Sequence, residues 1–227
     1  MNPEVLVLAD SRLPSGGHGH SGGVEALAMR GLLRTESDLA LFLHGRLRTS
    51  GETIAAASAA ACLLAGRPGT AWARWDAAVD ARTPSAALRA ASRGQGGALL
   101  RTVARAWPGP AVSALEALRR PHHPLVLGAA AAAAAATAEE AAALALHHLT
   151  GGAATAGVRL LGLDPLAVAA VTAQVARSAM PIAAAAASAA RDAVDADDPG
   201  LLPAGGNPLH DVLAQLHDTA EVTLFAS

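Results

Sequence analysis

The residues best able to do chemistry crowd into one short stretch, Leu8–Glu25, which reads Leu-Ala-Asp-Ser-Arg-Leu-Pro-Ser-Gly-Gly-His-Gly-His-Ser-Gly-Gly-Val-Glu. His18 and His20 carry imidazole nitrogens that suit a borderline metal such as nickel or zinc, and the glycines around them free the backbone to shape such a site. Two histidines do not close a metal site. The missing ligands would have to come from His44, His122, His123, His147, His148, His210 or His217, or from a second subunit. Gly19-His20-Ser21-Gly22-Gly23 also has the form G-x-S-x-G, which makes Ser21 the candidate nucleophile of a hydrolase. That motif works when a strand delivers the serine onto a strained turn before a helix. Pro14–His18 form no strand, so Ser21 reads instead as the N-cap of a short helix.

Elsewhere the chemistry thins out. His147 and His148 are adjacent on a helix and so point about 100° apart, which suits joint chelation poorly. His210 and His217, seven apart, share a helix face and read as lining an interaction surface. Asp195, Asp197 and Asp198 lack the Gly and the terminal Glu that a calcium loop places at fixed positions. All 17 basic residues are arginine. Without lysine, neither a P-loop nucleotide hydrolase nor a Schiff-base enzyme can be built. A net charge of −2 with scattered arginines offers no basic face, so no nucleic-acid partner is expected. The single Cys62 cannot form an internal disulfide, which fits a reducing compartment. The start, Met-Asn-Pro-Glu, lacks a secretory signal, and the apolar runs Leu125–Ala136 and Ile182–Ala187 are shorter than a bilayer requires. The expectation is a cytoplasmic protein with no membrane partner.

The elements that must position these residues are helices. Alanine supplies 61 residues, against two Phe, three Trp and no Tyr, and no sustained period-two pattern suggests a strand. The fold class is all-α, a single-domain helical bundle of about nine or ten helices, several of them long. Pro3 opens a first helix carrying Val5, Leu6 and Leu8, and a second short helix closes before Gly31. Thr35–Asp38 begins a long stretch to Leu64, and Thr70–Asp80 is helical. Thr83-Pro84 is an N-cap with Pro at N1, opening Ser85–Ala106, which Trp107-Pro-Gly-Pro stops. Thr137 and Glu140 fit a capping box, and Gly151, Gly152 and Gly157 within the following helix point to close packing. Asp164-Pro165 opens another helix that Pro181 should kink. Residues 195–207 read as a mobile loop, and 208–227 as a C-terminal partner-binding helix and tail with Leu209, Val212, Leu213 and Leu216 on its apolar face.

Taken together, the stretch Leu8–Glu25 resembles the N-terminal signature of the urease accessory protein F family (UreF), with Ser, Leu-Pro, Gly, an aromatic or His, then Ser-x-Gly and Glu. Asp80-Ala-Arg82 with Arg89, Ser92, Gln95-Gly96 and Leu99-Leu100 is similar to the family's central segment. His123-Pro-Leu-Val-Leu-Gly128 and Val158-Arg-Leu-Leu161 are similar to its later helices, and Leu209, Asp211, Leu213-Ala214, His217 and Leu224-Phe-Ala-Ser227 to its C-terminal signature. The resemblance implies a non-catalytic, dimer-forming, all-helical protein. Its implied partners are the accessory proteins D (also called H) and G, the latter a GTPase, together with apo-urease. In that complex it would bridge the two accessory proteins and modulate the GTPase while nickel is loaded. No tightly bound cofactor is implied, only nickel in transit. Partner-binding residues carried over are Ser11, Leu13, Pro14, Ser21, Glu25, Asp211, His217, Leu224 and Phe225. His18 and His20, the candidate metal ligands, stand where many relatives have aromatics, and Thr223 stands where a basic residue commonly precedes Leu-Phe.

Overall fold

In a computed structural model that describes residues 2–218, helices follow one another with no extended strand among the described residues. Asn2 caps α1 (Pro3–Ala9) through Glu4 N–H, with Pro3 at the first helical position, where its missing N–H costs nothing. Val5 and Leu8 point inward, whereas Leu6 is exposed. The second helix, α2 (Val24–Met29), starts from Gly23 in the left-handed region, and no side chain caps it. The expected Ser21 cap is therefore corrected: a glycine turn supplies the entry, and the Ser21 hydroxyl takes no part.

Thr35 and Asp38 form a reciprocal capping box on α3 (Glu36–Arg46). The chain continues through a π-type turn, Leu47–Gly51, into α4 (Glu52–Leu64). Within that turn Thr49 leaves helical geometry at φ −122°, ψ −105°, and its hydroxyl donates back to the Gly45 carbonyl at 2.9 Å. The long stretch read to Leu64 is thus one helical path with a break at its middle. After α5 (Trp72–Ala81), α6 (Ala86–Ala106) is capped by Ser85, whose Oγ accepts from Leu88 N–H, rather than by Thr83. Short α7 (Pro110–Glu116) leads to α8 (His123–Ala133). Thr137 and Glu140 close the expected box on α9 (Ala138–Leu161), and Asp164 caps α10 (Pro165–Asp195). The last described helix is α11 (Pro208–Asp218).

α4 is the hub, buried along most of its length and packed against α8, α9 and α10. Its lining is almost wholly alanine, which lets helix axes come close. At the α4–α8 crossing a side chain on Gly128 would collide with the Ser58 carbonyl, and it would stand 2.7 Å from Ala61 Cβ. Gly157 packs similarly against Leu39 and Leu163. Gly151 and Gly152 do not: nothing lies within 4 Å of a Cβ built at either, so close packing does not explain them.

α10 runs unbroken through Pro181, which lies on its exposed side. It is long and apolar enough by composition to span a bilayer, longer than either apolar run singled out in the sequence. Its inward face, Val168, Val175, Ala183, Ala187 and Ala190, packs on α4, α9 and α3, but only 17% of its most apolar stretch is buried, and Leu166 and Met180 face outward.

Replacing Gly128 with Ala should lower stability by roughly 1–3 kcal/mol, since overpacking at the crossing outweighs the better helix propensity of alanine. Gly66→Ala, where a Cβ would meet open space, should stay within about 0.5 kcal/mol of wild type. Urea midpoints of the two variants provide the comparison.

Candidate functional site

The glycine-rich N-terminal loop is fixed by contacts that only glycine permits. Gly16, at φ +77°, would carry a Cβ 2.8 Å from Ala98 Cβ on α6, and Thr102 of the same helix donates to the Pro14 carbonyl at 2.8 Å. At the other end, Gly22 and Gly23 also take positive φ. A Cβ on Gly22 would press on Arg46 Nη1, and one on Gly23 would lie 2.5 Å from His210 Nε2. The loop therefore bridges α6 to the end of α3 and to α11.

α11 is seated by its histidines. His210 and His217 face the body and are buried together with Leu213 and Ala214. His217 Nε2 lies 3.1 Å from the Glu25 carboxylate on α2, and His210 meets Phe42 edge-on with ring centroids 6.2 Å apart. Read from the sequence as lining an interaction surface, these two histidines form the inner face of α11 against the body. What α11 presents outward is Leu209, Val212 and Leu216, exposed by 59%, 57% and 49%.

The loop leading into α11, residues 199–207, is tied down. The Arg82 guanidinium donates to the carbonyls of Gly200, Leu202 and Pro203 at 2.9–3.2 Å, and also to Ala78. Thr53 donates to the Gly205 carbonyl, and Gly205 lies against Thr49 of the π-type turn. Arg67 binds the Val194 carbonyl and Asp195, and Arg74 pairs with Asp197, which secures the end of α10.

Beside Arg82 lies a polar knot that joins α5, α6 and α8, and sequence reasoning missed its centre. His122 is wholly buried. Its Nε2 lies 2.7 Å from Asp80 and its Nδ1 2.9 Å from Ser92 Oγ. A carboxylate only accepts, so Nε2 carries the proton and the Ser92 hydroxyl donates to Nδ1. Burial lowers the His122 pKa against the pull of Asp80. Burial alone would raise Asp80, but hydrogen bonds from His122 and Arg93 bring it below the usual carboxylate value. Arg93 ties Asp76 and Asp80 to the Arg120 carbonyl, and Asp76 also accepts from His122 N–H. Gly96 leaves room for the Pro121 carbonyl. Asp80, Arg82, Ser92 and Gly96, noted only as a shared sequence pattern, are the parts of this clasp.

A cleft of about 1010 Å³ runs between α6, α9, α10 and the N-terminal loop, and Gly151 and Gly152 form part of its wall. His20, His123, His147 and His148 border it. The rings of His123 and His148 stand 5.6 Å apart, and His123 is pushed down to about 3 by burial first and then by His148 and His20. His147 and His148 are bonded to the carbonyls of Ala9 and Leu8, closing the end of α1. The side chain of His18 lies outside the described residues. Among those described, no three His, Cys, Asp or Glu side chains are arranged to hold a metal ion.

Of the residues expected to bind partners, Ser11 and Pro14 are exposed, and Leu13 and Asp211 are half-buried. Ser21, Glu25 and His217 are buried instead, so they shape the site from beneath. Leu224 and Phe225 lie outside the described residues. The hydrolase alternative fails on geometry, because the Ser21 hydroxyl is sealed in the interior and no base among the described residues holds it.

His210 titrates far into acid, pushed down to about 3 by burial and then by the charge of Arg46. An imidazole whose folded pKa lies below its ordinary 6.5 contributes stability that is whole above that value and is lost as pH falls toward the folded one. Between about pH 6.5 and 5.5 this one group should cost the fold about 1 kcal/mol. Urea midpoints should fall accordingly, and His210→Asn should flatten the slope by that amount.

Comparison with known proteins identifies the family. The UreF family model matches residues 33–176. Over 223 residues, 98% of this chain and 97% of each relative, the chain is 45% identical to the urease accessory protein UreF of Mycobacterium sp. (strain JLS). Over the same span it is 43% identical to that of Mycolicibacterium vanbaalenii and 38% to that of Mycobacterium tuberculosis. The chain therefore belongs to the UreF family, urease accessory proteins that serve as non-catalytic factors in urease maturation.

Proposed function

We propose that this protein is a scaffold that bridges the accessory proteins D (H) and G and modulates the GTPase during GTP-dependent insertion of nickel into apo-urease. It works in the cytoplasm, as a homodimer within that complex. The observation that carries this reading is the two-sided build of α11. Its inner face is locked by His210, Leu213, Ala214 and His217, while Leu209, Val212 and Leu216 form an outward apolar ridge at i, i+3 and i+7. Such spacing is what a helix offers to a partner's groove. A ridge held on a seated helix loses little freedom on binding, which favours association.

Ser11, Leu13 and Pro14 on the N-terminal loop, with Asp211, Leu224 and Phe225, supply further contacts. Ser21, Glu25 and His217 keep the loop and α11 in register. Nickel is cargo in this reading, met in transit by His18 and His20.

Leu209→Asp combined with Leu216→Asp should reduce co-purification with the D and G proteins at least about tenfold, the effect of removing two central apolar anchors. Helical content and melting temperature should stay at wild-type values, because both side chains are exposed. A host lacking only its F protein should recover urease activity with the wild-type chain and not with this variant. An undiminished complex would overturn the docking role of α11. For the cargo reading, calorimetry should show weak nickel binding that His18→Ala with His20→Ala removes; an identical isotherm would rule it out.

A further inference from the structure

One cation in the interior lacks a carboxylate to answer it. Arg46 is 7% exposed, and no carboxylate pairs with it among the described residues. One Nη donates to the Gly22 carbonyl at 2.9 Å, and Phe42 lies under the guanidinium at 5.7 Å, but Nε–H has no acceptor among the described residues. One turn along, the Ser50 hydroxyl is buried and also unpartnered, as is that of Ser21 beside Gly22. Arg46, Ser50, Gly22 and His210 all border the cleft. The cleft's own acids are engaged elsewhere, Asp10 with Arg12 and Asp211 with the Ser85 backbone.

Donors thus outnumber acceptors around a charge that burial would otherwise penalise. The group that satisfies all of them is a planar anion able to take two N–H bonds from a guanidinium edge and one from a hydroxyl. A neutral ligand would leave the charge unanswered, and a cation would be repelled.

We propose that Arg46 and Ser50, with the Gly22-Gly23 turn, form a binding site for a small carboxylate anion that enters from the cleft. Occupancy ties the N-terminal loop to the π-type turn beneath α11, so the anion would steady the element that carries the partner-facing ridge. None of its residues belongs to the ridge itself or to the candidate nickel ligands His18 and His20.

Formate is the smallest probe. The ring C–H resonances of His210, which feels the charge of Arg46, should shift saturably as sodium formate is added to the full-length protein, and sodium chloride at equal ionic strength should leave them in place. Ser50→Ala, a small change that leaves the charge intact, should weaken formate binding roughly tenfold, as expected for one hydrogen bond to an ion. Arg46→Gln should abolish it. The proposal is overturned if formate gives no saturable shift, if chloride shifts the resonances equally, or if Ser50→Ala binds formate as wild type does. A response to a glutamate-containing peptide with none to formate would also overturn it, by making the ligand a protein side chain.

Discussion

The rest of the structure depends on how closely α4 and its neighbours approach. Ala55, Ala56, Ala57, Ala59, Ala60 and Ala61 are buried along α4, facing the small residues of α8, α9 and α10. Alanine contributes a single methyl group, worth about 0.8 kcal/mol per buried carbon on the hydrophobic scale, so this core gains less per residue than a leucine core would. It compensates by density. At the Gly128 crossing the backbones themselves come into contact range, and such packing rewards shape match while leaving almost no tolerance for added volume.

A lean core of this kind needs its outer elements fastened by other means, and the fasteners are arginines. Arg82 holds three loop carbonyls, Arg93 joins two aspartates to a carbonyl, and Arg67 closes the end of α10. Each uses the rigid fork of the guanidinium to satisfy several acceptors at fixed angles. A lysine ammonium, a compact and strongly hydrated point charge, does this poorly. The absence of lysine, which in the sequence only excludes nucleotide and Schiff-base chemistry, thus has a structural counterpart.

Features governed by neighbours in the chain were legible beforehand. The box at Thr137–Glu140 lies where the sequence places it, and helices open at Thr35–Asp38 and Asp164 as expected, because a helix start is decided within four residues. Ser21 and Thr83 show the limit of that rule. Each precedes a helix, yet Gly23 and Ser85 make the entries, since the backbone angles of the turn and not the nearest hydroxyl select the cap. Long-range partners were not legible at all. Nothing in the spacing of residues 195–207 discloses that Arg82, more than a hundred positions earlier, grips that segment. Nor does a seven-residue spacing say whether His210 and His217 face water or the core. Helical periodicity finds a face; only the tertiary neighbours Glu25, Phe42 and Gly23 decide which way it turns.

Those same neighbours explain why the two ends of the chain carry matched signatures. Gly23 lacks the side chain that would displace His210, and Glu25 meets His217, so the N-terminal turn is the seat of α11. Any bulkier residue at position 23 would push the helix outward, because its Cβ would also stand 3.4 Å from Phe42 on the far side. The glycine- and histidine-rich stretch that first suggests catalysis therefore acts mechanically. It folds against Arg46 and sets the height and rotation of α11, and with them the direction in which Leu209, Val212 and Leu216 point. Since the strap held by Arg82 fixes where that helix begins and the Glu25–His217 contact fixes its far turn, the helix is restrained at both ends. The outward surface of α11 is therefore set by the N-terminal turn as well, and a change in either signature alters the surface that both compose.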